Sequence, residues 1–473
     1  MKKFLISISL CLAFVTGSFA EEPLGYELDV QVVSHRHCHA LQNLYDDAFN
    51  LQFEQIIYEY TSLGPDMKTP VRLTGVISMN PAVYNKEASP RGLMLYNEFT
   101  TAKHGERTSQ NEIDDIAFYM NKYQNLIAIS ADLYGWTLTE DKPQAYCCPE
   151  ITAVETVDAW DAAMQILEQM EYEIEGLPTF NIGYSSGGFS AMAVQKYISE
   201  KRPDIFFTLT AAGGSPFDIT TVYENYVKTN FTGYKCALPL MMVAYKETYN
   251  LPIDYKDAFL PPLGDHVQEW ILSKDFNTWE INEKIGLEAN IDEIVTPVMC
   301  DYTQGLGRTI YTKFRDNSLC GPWCDWQPDT KTKYFIFHSK GDLYMQYFVG
   351  LEMANYLEKK GCDVTTDFNE WGNHIDYAAY VYVLRTILEM ETMINDSVSD
   401  DIINDIEDNI ENVTDISDVI ELGANNGTST YIKSVSEIPN YNPANYYTLD
   451  GREMSGKPQK GIYIHQGKKV VLK

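Results

Sequence analysis

The sequence predicts an α/β fold, in which a mainly parallel sheet is covered by helices on both faces. Between about residues 51 and 390, short apolar runs alternate with longer segments of helical periodicity. The chain has 473 residues, of which 45% are hydrophobic, so it can bury a large core. Strands that alternate with helices are typical of parallel sheets, because each crossover between parallel strands is commonly a helix.

Eight apolar runs have strand character, and the first two predict a hairpin. The runs are residues 53–60, 71–79, 92–96, 126–130, 179–184, 206–212, 334–337 and 364–368. Helical periodicity fills most of the later gaps, at residues 150–170, 188–201, 343–360 and 377–393.

One gap between predicted strands, residues 215–332, is too long for a plain connection. It contains helical patterns and many tyrosines. A compact domain does not use a connection of this length without structure of its own. We therefore predict a helical lid or cap, inserted into a domain that spans residues 21–392. A separate domain with an unrelated task is the alternative, which we disfavour because strand-like runs resume after the gap.

The first 20 residues have the pattern of a secretory signal peptide. Lys2 and Lys3 precede an apolar run at residues 4–15, and small residues stand before a cleavage point after Ala20. The run is too short to span a bilayer, and no later run is longer, so we expect no transmembrane segment. The expected location is secreted or at the cell surface. A buried N-terminal helix is the alternative.

The C-terminal part of the chain changes character twice. Residues 391–422 carry 11 acidic side chains, so residues 393–430 are interpreted as a solvated acidic linker. Residues 431–473 are predicted to form a small all-β tail, with a Gln466-Gly467 turn between two strand runs. This tail resembles the C-terminal sorting domain of proteins exported by the type IX secretion system. The resemblance implies the secretion machinery as a partner; a simple hairpin appendage is the alternative.

The charge of the chain excludes one large class of partners. Its 36 basic and 67 acidic residues give a net charge of −31. Nucleic acid is therefore a poor partner, because phosphate binding requires a basic face.

The strongest chemical signal is the segment Gly183-Tyr184-Ser185-Ser186-Gly187. It follows a strand run and begins a helical run, which is the setting that a G-x-S-x-G nucleophile elbow requires. The sharp turn presents the Ser185 hydroxyl above the sheet and directs the Ser186 N–H toward a developing oxyanion. A Gly/Ser-rich turn without chemistry is the alternative.

A serine hydroxyl needs a base, and the base needs a third group that orients it. Asp342 follows the strand run at 334–337 and is expected to begin a helix; His374 lies in the loop after the last run. Glu370 is the rival acid. A second oxyanion donor is expected in the loop after the third run, from the backbone N–H groups of Phe99, Thr100 and Thr101.

The order Ser185, Asp342, His374 and the placement of the insertion resemble the α/β-hydrolase superfamily, and within it the secretory lipase family. The resemblance spans about residues 50–390. It implies an α/β-hydrolase fold with a lid and hydrolysis of a small-molecule ester or a lipid, without cofactor or metal. The chain departs from the family at the oxyanion loop, where Thr100 or Thr101 stands near the place of an Asp.

Two other functions are compatible with the same residues. One is a serine peptidase of the prolyl-oligopeptidase type, which we disfavour because the chain lacks the N-terminal length for a propeller. The other is a non-catalytic surface-binding protein on a hydrolase scaffold.

The cysteines and an N-terminal histidine run give further expectations. Eight cysteines follow residue 20, and Cys320 and Cys324, around a Gly-Pro-Trp turn, are the expected local disulfide, with a zinc site as the weaker alternative. His35, His37 and His39 alternate as metal ligands on a strand would, but no strand is predicted there, so we do not assign a metal.

Overall fold

A computed structural model describes residues 26–44, 47–111, 125–375 and 377–394, together with strands at 461–465 and 468–472. Side chains are described except at residues 39–51 and in the last two strands. The predicted signal peptide, nearly all of the acidic linker and residues 431–460 of the tail lie outside the described residues.

The main sheet has nine strands in the order β1-β2-β3-β5-β4-β6-β7-β8-β9. Strands β4 to β9 pair in parallel, whereas β1, β2 and β3 are antiparallel to their neighbours. The strands are β1 (Val30–Leu44), β2 (Asp47–Leu63), β3 (Pro70–Met79), β4 (Gly92–Asn97), β5 (Leu126–Asp132), β6 (Thr179–Tyr184), β7 (Leu209–Gly213), β8 (Lys333–Phe337) and β9 (Asp363–Asp367).

Helices cover both faces of the sheet, as predicted. The helices are α1 (Pro81–Tyr84), α2 (Pro149–Gln169), α3 (Ser186–Lys201), α4 (Ile219–Thr229), α5 (Ala237–Thr248), α6 (Tyr255–Ala258), α7 (Leu263–Val267), α8 (Thr278–Ile285), α9 (Ile291–Ile294), α10 (Pro297–Cys300), α11 (Gly305–Asp316), α12 (Tyr347–Lys359) and α13 (Tyr377–Ile394), with a 3₁₀ turn at Thr137–Thr139 and a π-helical turn at Gln268–Leu272.

The two faces of the sheet belong to two separate apolar cores. Leu93 and Leu95 of β4 lie in the core that includes α2, α3 and α12, and Met94 and Tyr96 lie in the core beneath α13. Every residue of β4 and of β5 is buried. This is the pattern of parallel strands that are covered on both sides.

Helices α4 to α11 lie between β7 and β8, in the segment where the sequence predicts an insertion. Tyr223, Tyr226 and Tyr245 are fully buried there and belong to the same core as α2 and α3. The hydroxyl of Tyr226 donates to the carbonyl of Tyr344 at 2.5 Å, which joins the insertion to the loop after β8.

Strand β1 is absent from the sequence-based prediction. It pairs with β2 over its whole length, with one irregularity between Val32 and Ser34. Its side chains are mostly exposed from Val30 to His37, so it lacks the apolar run that marks the other strands. In the tail, β10 (Gly461–His465) and β11 (Lys468–Leu472) form an antiparallel hairpin where two strand runs are predicted.

The expected disulfide between Cys320 and Cys324 is wrong. All eight cysteines from Cys38 to Cys362 are free thiols. The thiol of Cys324 instead donates to the carbonyls of Ser318 and Cys320, at 3.2 and 3.1 Å, so the turn is closed by hydrogen bonds to the backbone. No helix among the described residues combines the length and the apolar character that crossing a bilayer requires.

Asp158 is a buried carboxyl on α2 that binds the N-terminal segment through hydrogen bonds. Its Oδ2 accepts hydrogen bonds from the hydroxyls of Tyr26 and Ser62, at 2.5 and 2.6 Å. Burial raises the pKa of Asp158 to about 7, although these hydrogen bonds and Arg202 act in the opposite direction. The folded chain therefore binds a proton here that the unfolded chain releases near its ordinary pKa.

Asp158→Asn is expected to make stability less dependent on pH. Because the folded pKa is raised, Asp158 contributes stability at low pH that is lost as the pH rises through about 7. From pH 5 to pH 8, the free energy of unfolding of the variant should rise relative to that of wild type by about 2–3 kcal/mol, at about 1.4 kcal/mol per pKa unit. Urea unfolding at both pH values measures this. The exposed Asp66→Asn is the control, since the pKa of Asp66 is lowered and its charge does not change in this window.

Candidate active site

The elbow between β6 and α3 places Ser185 at the edge where the parallel strands end. Ser185 lies between the last residue of β6 and the first residue of α3, with φ 57° and ψ −126°. This backbone conformation is unfavourable for a residue with a side chain, and such strain is concentrated at functional sites. The Ser185 N–H donates to the carbonyl of Gly213 in β7 at 2.8 Å, which holds the turn in place.

Three side chains from distant parts of the chain meet at this edge. His374 Nε2 lies 2.8 Å from Ser185 Oγ, and His374 Nδ1 lies 2.6 Å from Asp342 Oδ2. His374 and Asp342 are buried, and Ser185 is half-buried. The structure thus brings the three predicted residues into one unbroken chain of hydrogen bonds.

Asp342 is held by the backbone of its own loop. Its Oδ1 accepts the N–H groups of Tyr344 and Met345, both at 2.8 Å. The expectation that Asp342 begins a helix is wrong, because α12 begins at Tyr347 and Asp342 closes a tight turn before it. Burial alone would raise the pKa of Asp342, but the charge of His374 and hydrogen bonds from His338 and His374 hold it well below its ordinary value.

The ionised Asp342 fixes the tautomer of His374. A carboxylate only accepts hydrogen bonds, so His374 Nδ1 carries the proton that faces it. The lone pair of Nε2 then faces the Ser185 hydroxyl and can accept its proton. This is the arrangement of a general base beside a nucleophile.

Glu370, the rival acid, is not the partner of His374. Glu370 is exposed, and the carboxyl that contacts the imidazole belongs to Asp342. Hydrogen bonds tie the two loops that carry the acid and the base: Ser339 donates to the carbonyl of Gly372 at 2.6 Å, and the Leu343 N–H donates to the Asn373 side chain at 3.0 Å. These contacts set the spacing between Asp342 and His374.

Two further residues, neither of them predicted from the sequence to belong to the site, contact Asp342 and His374. His338 is fully buried, with Nε2 at 3.0 Å from the Met345 carbonyl and 3.3 Å from Asp342 Oδ2. Both neighbours accept, so Nε2 carries the proton and donates toward Asp342. Tyr184, inside the elbow motif, donates its hydroxyl to the His374 carbonyl at 2.7 Å, with its ring 5.1 Å from the imidazole.

The N-terminus of α3 supplies the first predicted oxyanion donor. Ser186 is the first residue of the helix, so its N–H has no partner within the helix, and the helix dipole favours negative charge there. The second donor is expected from the loop after β4. In that loop Glu106 accepts the N–H groups of Ala102 and Lys103, both at 2.9 Å, which leaves those of residues 99–101 as the candidates.

The three predicted loop residues differ in their surroundings. Phe99 is 46% exposed at the surface. Thr100 is half-buried, and its hydroxyl donates to Ser186 Oγ at 3.2 Å, so it faces the elbow. Thr101 is buried, and its hydroxyl accepts from Arg107 at 3.4 Å, so that side chain points away from the elbow. Of the three side chains, Thr100 is therefore the one that lies beside the nucleophile turn.

A buried ionic cluster of Glu98, Arg107 and Asp132 holds this loop against β5. The Arg107 guanidinium lies 3.0 Å from Glu98 and 3.8 Å from Asp132, and it donates to the Ala131 carbonyl at 2.6 Å. Burial, with Glu98 nearby, raises the pKa of Asp132 to about 7 although Arg107 opposes the shift. The cluster joins the oxyanion loop to the end of β5.

No group of three or more His, Cys, Asp or Glu residues among those described could hold a metal ion. His35 and His37 lie on β1, where no strand was predicted, and contact the two oxygens of Glu54 at 2.8 and 2.6 Å. The side chain of His39, the third residue of that run, is not described.

A large cavity elsewhere is separate from this site. It has a volume of about 1150 Å³, and Leu93, Trp160 and Thr179 are among its lining residues. Leu93 and Thr179 stand at the amino ends of their strands, whereas Ser185 follows the carboxyl end of β6. Ligands of open α/β sheets bind at the carboxyl ends, so the Ser185 edge is the candidate site.

Comparison with known proteins finds likeness in structure. No sequence-family profile matches the chain, and no curated protein matches it in sequence. The rice cell wall degrading esterase LipA from Xanthomonas oryzae superposes with a TM-score of 0.62 at 17% identity, over 76% of this chain and 97% of that one. A protein from Legionella pneumophila superposes with a TM-score of 0.63 at 16% identity, over 78% of this chain and 100% of that one. Candida antarctica lipase A superposes with a TM-score of 0.56 at 11% identity, over 78% of this chain and 83% of that one. At these identities the likeness concerns the fold, and the chain has the α/β-hydrolase fold.

Proposed function

We propose that the protein hydrolyses carboxylic esters through an acyl-enzyme on Ser185. The observation that carries this proposal is the unbroken hydrogen-bond chain from Ser185 through His374 to Asp342, on a strained elbow at the carboxyl edge of the sheet. The three side chains supply the nucleophile, the base and the orienting acid that acyl transfer requires.

In the first half-reaction, Ser185 Oγ attacks the ester carbonyl as His374 Nε2 takes its proton. The tetrahedral oxyanion is stabilised by the N–H of Ser186 and by an N–H of residues 99–101. The imidazolium then gives the proton to the leaving alcohol, and the C–O bond breaks. In the second half-reaction, water attacks the acyl-enzyme with the same base, and the acid leaves as Ser185 regains its proton.

Two observations favour an ester with an apolar acyl group. An exposed apolar side chain stands next to each part of the site: Phe99 beside Thr100, Leu343 beside Asp342, and Ile375 beside His374, which are 46%, 55% and 45% exposed. Such side chains suit an apolar substrate better than a charged peptide. The structurally similar proteins from Xanthomonas oryzae and Candida antarctica are an esterase and a lipase.

We also propose that the protein is exported. The support is the sequence pattern of residues 1–20 and the resemblance of residues 431–473 to a type IX sorting domain. The mature enzyme would then act in the secreted fraction or at the cell surface. Fractionation of cells that produce the full chain, compared with a chain that lacks residues 431–473, tests this location.

Ser185→Ala is expected to abolish both covalent labelling and turnover. A fluorophosphonate probe reacts with an activated serine when Oγ displaces fluoride, so the wild type should be labelled and the variant should not. Hydrolysis of p-nitrophenyl butyrate should fall by at least about 10,000-fold. Ser199→Ala is the matched control, since Ser199 also lies on α3 and donates to the Gln195 carbonyl away from the site.

Other outcomes of the same experiment identify the rival functions. Folded wild type that is neither labelled nor active would indicate a binding protein with an unused triad. Labelling combined with cleavage of Xaa-Pro amides in preference to aryl esters would indicate a peptidase.

A further inference from the structure

Three hydroxyl groups from three separate elements form a chain beside the elbow. Tyr146 Oη lies 2.9 Å from Thr100 Oγ1, and Thr100 Oγ1 lies 3.2 Å from Ser186 Oγ. Thr100 belongs to the loop after β4, Tyr146 precedes α2, and Ser186 begins α3. The mechanism above uses backbone N–H groups of this region and assigns no role to the hydroxyls.

The direction of these hydrogen bonds follows from counting protons. Each hydroxyl has one hydrogen to donate. Thr100 donates to Ser186, so Tyr146 must donate to Thr100. Burial and the neighbouring Cys147 raise the pKa of Tyr146 well above its ordinary value, so its phenol keeps its proton at neutral pH. The chain thus runs from the Tyr146 phenol through Thr100 toward the elbow.

The backbone around Tyr146 is held by hydrogen bonds to neighbouring residues. The carbonyl of Cys147 accepts the Tyr245 hydroxyl of the insertion at 2.7 Å, and Cys147 itself has φ 54°. The Cys148 thiol donates to the Tyr146 carbonyl at 3.7 Å. Because these contacts hold the backbone at and after Tyr146, the phenol can direct its hydrogen at Thr100 with little loss of side-chain freedom.

We propose that the Thr100 hydroxyl is a third donor to the oxyanion, and that Tyr146 is the positioning residue that orients and polarises it. This inference rests on the ester hydrolysis proposed above. The N–H and the Oγ of Ser186 belong to one residue, so a substrate oxygen that accepts this N–H lies close to Ser186 Oγ. Rotation about the Thr100 C–O bond would move its hydrogen from Ser186 Oγ to that oxygen without movement of the backbone.

A hydroxyl held beside the elbow needs only to rotate its own hydrogen to reach the oxyanion, so it stabilises the charge with little rearrangement at the moment of reaction. The phenol behind it strengthens the effect, since a hydroxyl that accepts one hydrogen bond donates a stronger one. The role also explains why the loop presents the Thr100 side chain to the elbow while that of Thr101 is turned toward Arg107.

The test compares Thr100→Val with Thr100→Ser in the full chain. Valine keeps the shape but removes the hydroxyl, so kcat for p-nitrophenyl butyrate should fall by about 100-fold with KM nearly unchanged. Serine keeps the hydroxyl and should retain activity close to wild type. If Thr100→Val does not fold, as judged by melting temperature, Thr100→Ala replaces it. Loss of activity in the serine variant equal to that in the valine variant would overturn the proposal.

Tyr146→Phe tests the positioning role. We expect kcat to fall by about 3- to 10-fold, which corresponds to the loss of one neutral hydrogen bond. In a chain that already carries Thr100→Val, the same change should have no further effect on kcat, because the phenol acts only through the Thr100 hydroxyl. Additive losses would show that Tyr146 acts elsewhere.

The experiments distinguish a failure of the Thr100 proposal from a failure of the proposed ester hydrolysis. If Ser185→Ala remains active, the acyl-enzyme proposal fails and the Thr100 result carries no meaning for catalysis. If Ser185→Ala is inactive while Thr100→Val has wild-type kcat, the ester hydrolase stands and the hydroxyl donor alone is rejected. Labelling of each variant by the fluorophosphonate probe gives the fraction of competent sites, to which kcat is normalised.

Discussion

Asp342→Asn is expected to lower kcat for p-nitrophenyl butyrate by about 10,000-fold while the protein stays folded. The substitution preserves the shape of the side chain but removes its negative charge and replaces one acceptor oxygen by an NH₂ donor. The size of the effect depends on which way the new amide faces, and the surroundings of Asp342 determine this.

The backbone of the loop favours the orientation of the new amide in which its NH₂ group faces His374. Oδ1 of residue 342 accepts two backbone N–H groups, from Tyr344 and Met345, which cannot turn away. His338, the second donor to Oδ2, keeps the Met345 carbonyl as its acceptor, so we expect the asparagine oxygen to stay at the Oδ1 position. Its NH₂ group then occupies the place of Oδ2, which faces His374 Nδ1 at 2.6 Å. An N–H donor there favours the tautomer with the proton on Nε2. His374 could no longer accept the proton of Ser185.

The measurement is kcat at pH 8, with melting temperature as the check of folding. Asp158→Asn is the matched control: it is also a change from a buried carboxyl to an amide, and it lies in α2, away from the elbow. We expect the control to retain wild-type kcat. A value for Asp342→Asn above about a tenth of wild type would contradict the proposed role, since wrong-tautomer variants lose far more.

The elbow was predictable because its signal is local. Gly183, Ser185 and Gly187 stand within five residues, and the runs on either side have the periods of a strand and a helix. The mainly parallel sheet was predictable for the same reason, because each buried strand is a continuous apolar run. The edge strand β1 was not, because most of its described side chains face solvent.

The sequence predicted Asp342 and His374 from chain order alone, with Glu370 as the rival acid, because the contact between acid and base depends on two distant loops. Glu370 stands closer to His374 in sequence than Asp342 does, yet Asp342 is the residue that the turn before α12 directs at the imidazole. Tyr146 and His338 belong to the site only through contacts with Thr100 and Asp342. No periodicity or spacing marks such a residue in a single sequence.

The glycines of the elbow show how a local motif becomes a tertiary constraint. A Cβ added to Gly187 would overlap the backbone carbonyl oxygen of Asn97 and lie 2.9 Å from that of Glu98. A Cβ added to Gly183 would overlap the carbonyl of Gly187. Both obstacles are backbone atoms, which cannot rotate away as a side chain can. Helix α3 therefore packs against the ends of β4 and β6 only if Gly187 and Gly183 lack side chains.

Gly187→Ala is accordingly expected to damage stability and activity together. Overpacking at a rigid contact destabilises by about 1–3 kcal/mol and sometimes more, and we expect the upper end here because backbone must move. The shift would separate Ser186 from residues 99–101, so kcat should fall by at least about 100-fold, as for the loss of one oxyanion donor. Urea unfolding and hydrolysis of p-nitrophenyl butyrate measure the two effects.

Gly64→Ala provides the control for this substitution. A Cβ there would meet Val71 Cγ1 at 3.4 Å, an ordinary contact, and Gly64 is far in sequence from the elbow. We expect its stability and kcat to remain near those of wild type. If Gly187→Ala behaved in the same way, the close approach of α3 to β4 would not be needed for the site. The contact between Thr100 and Ser186 would then have to be maintained by other parts of the oxyanion loop and the elbow.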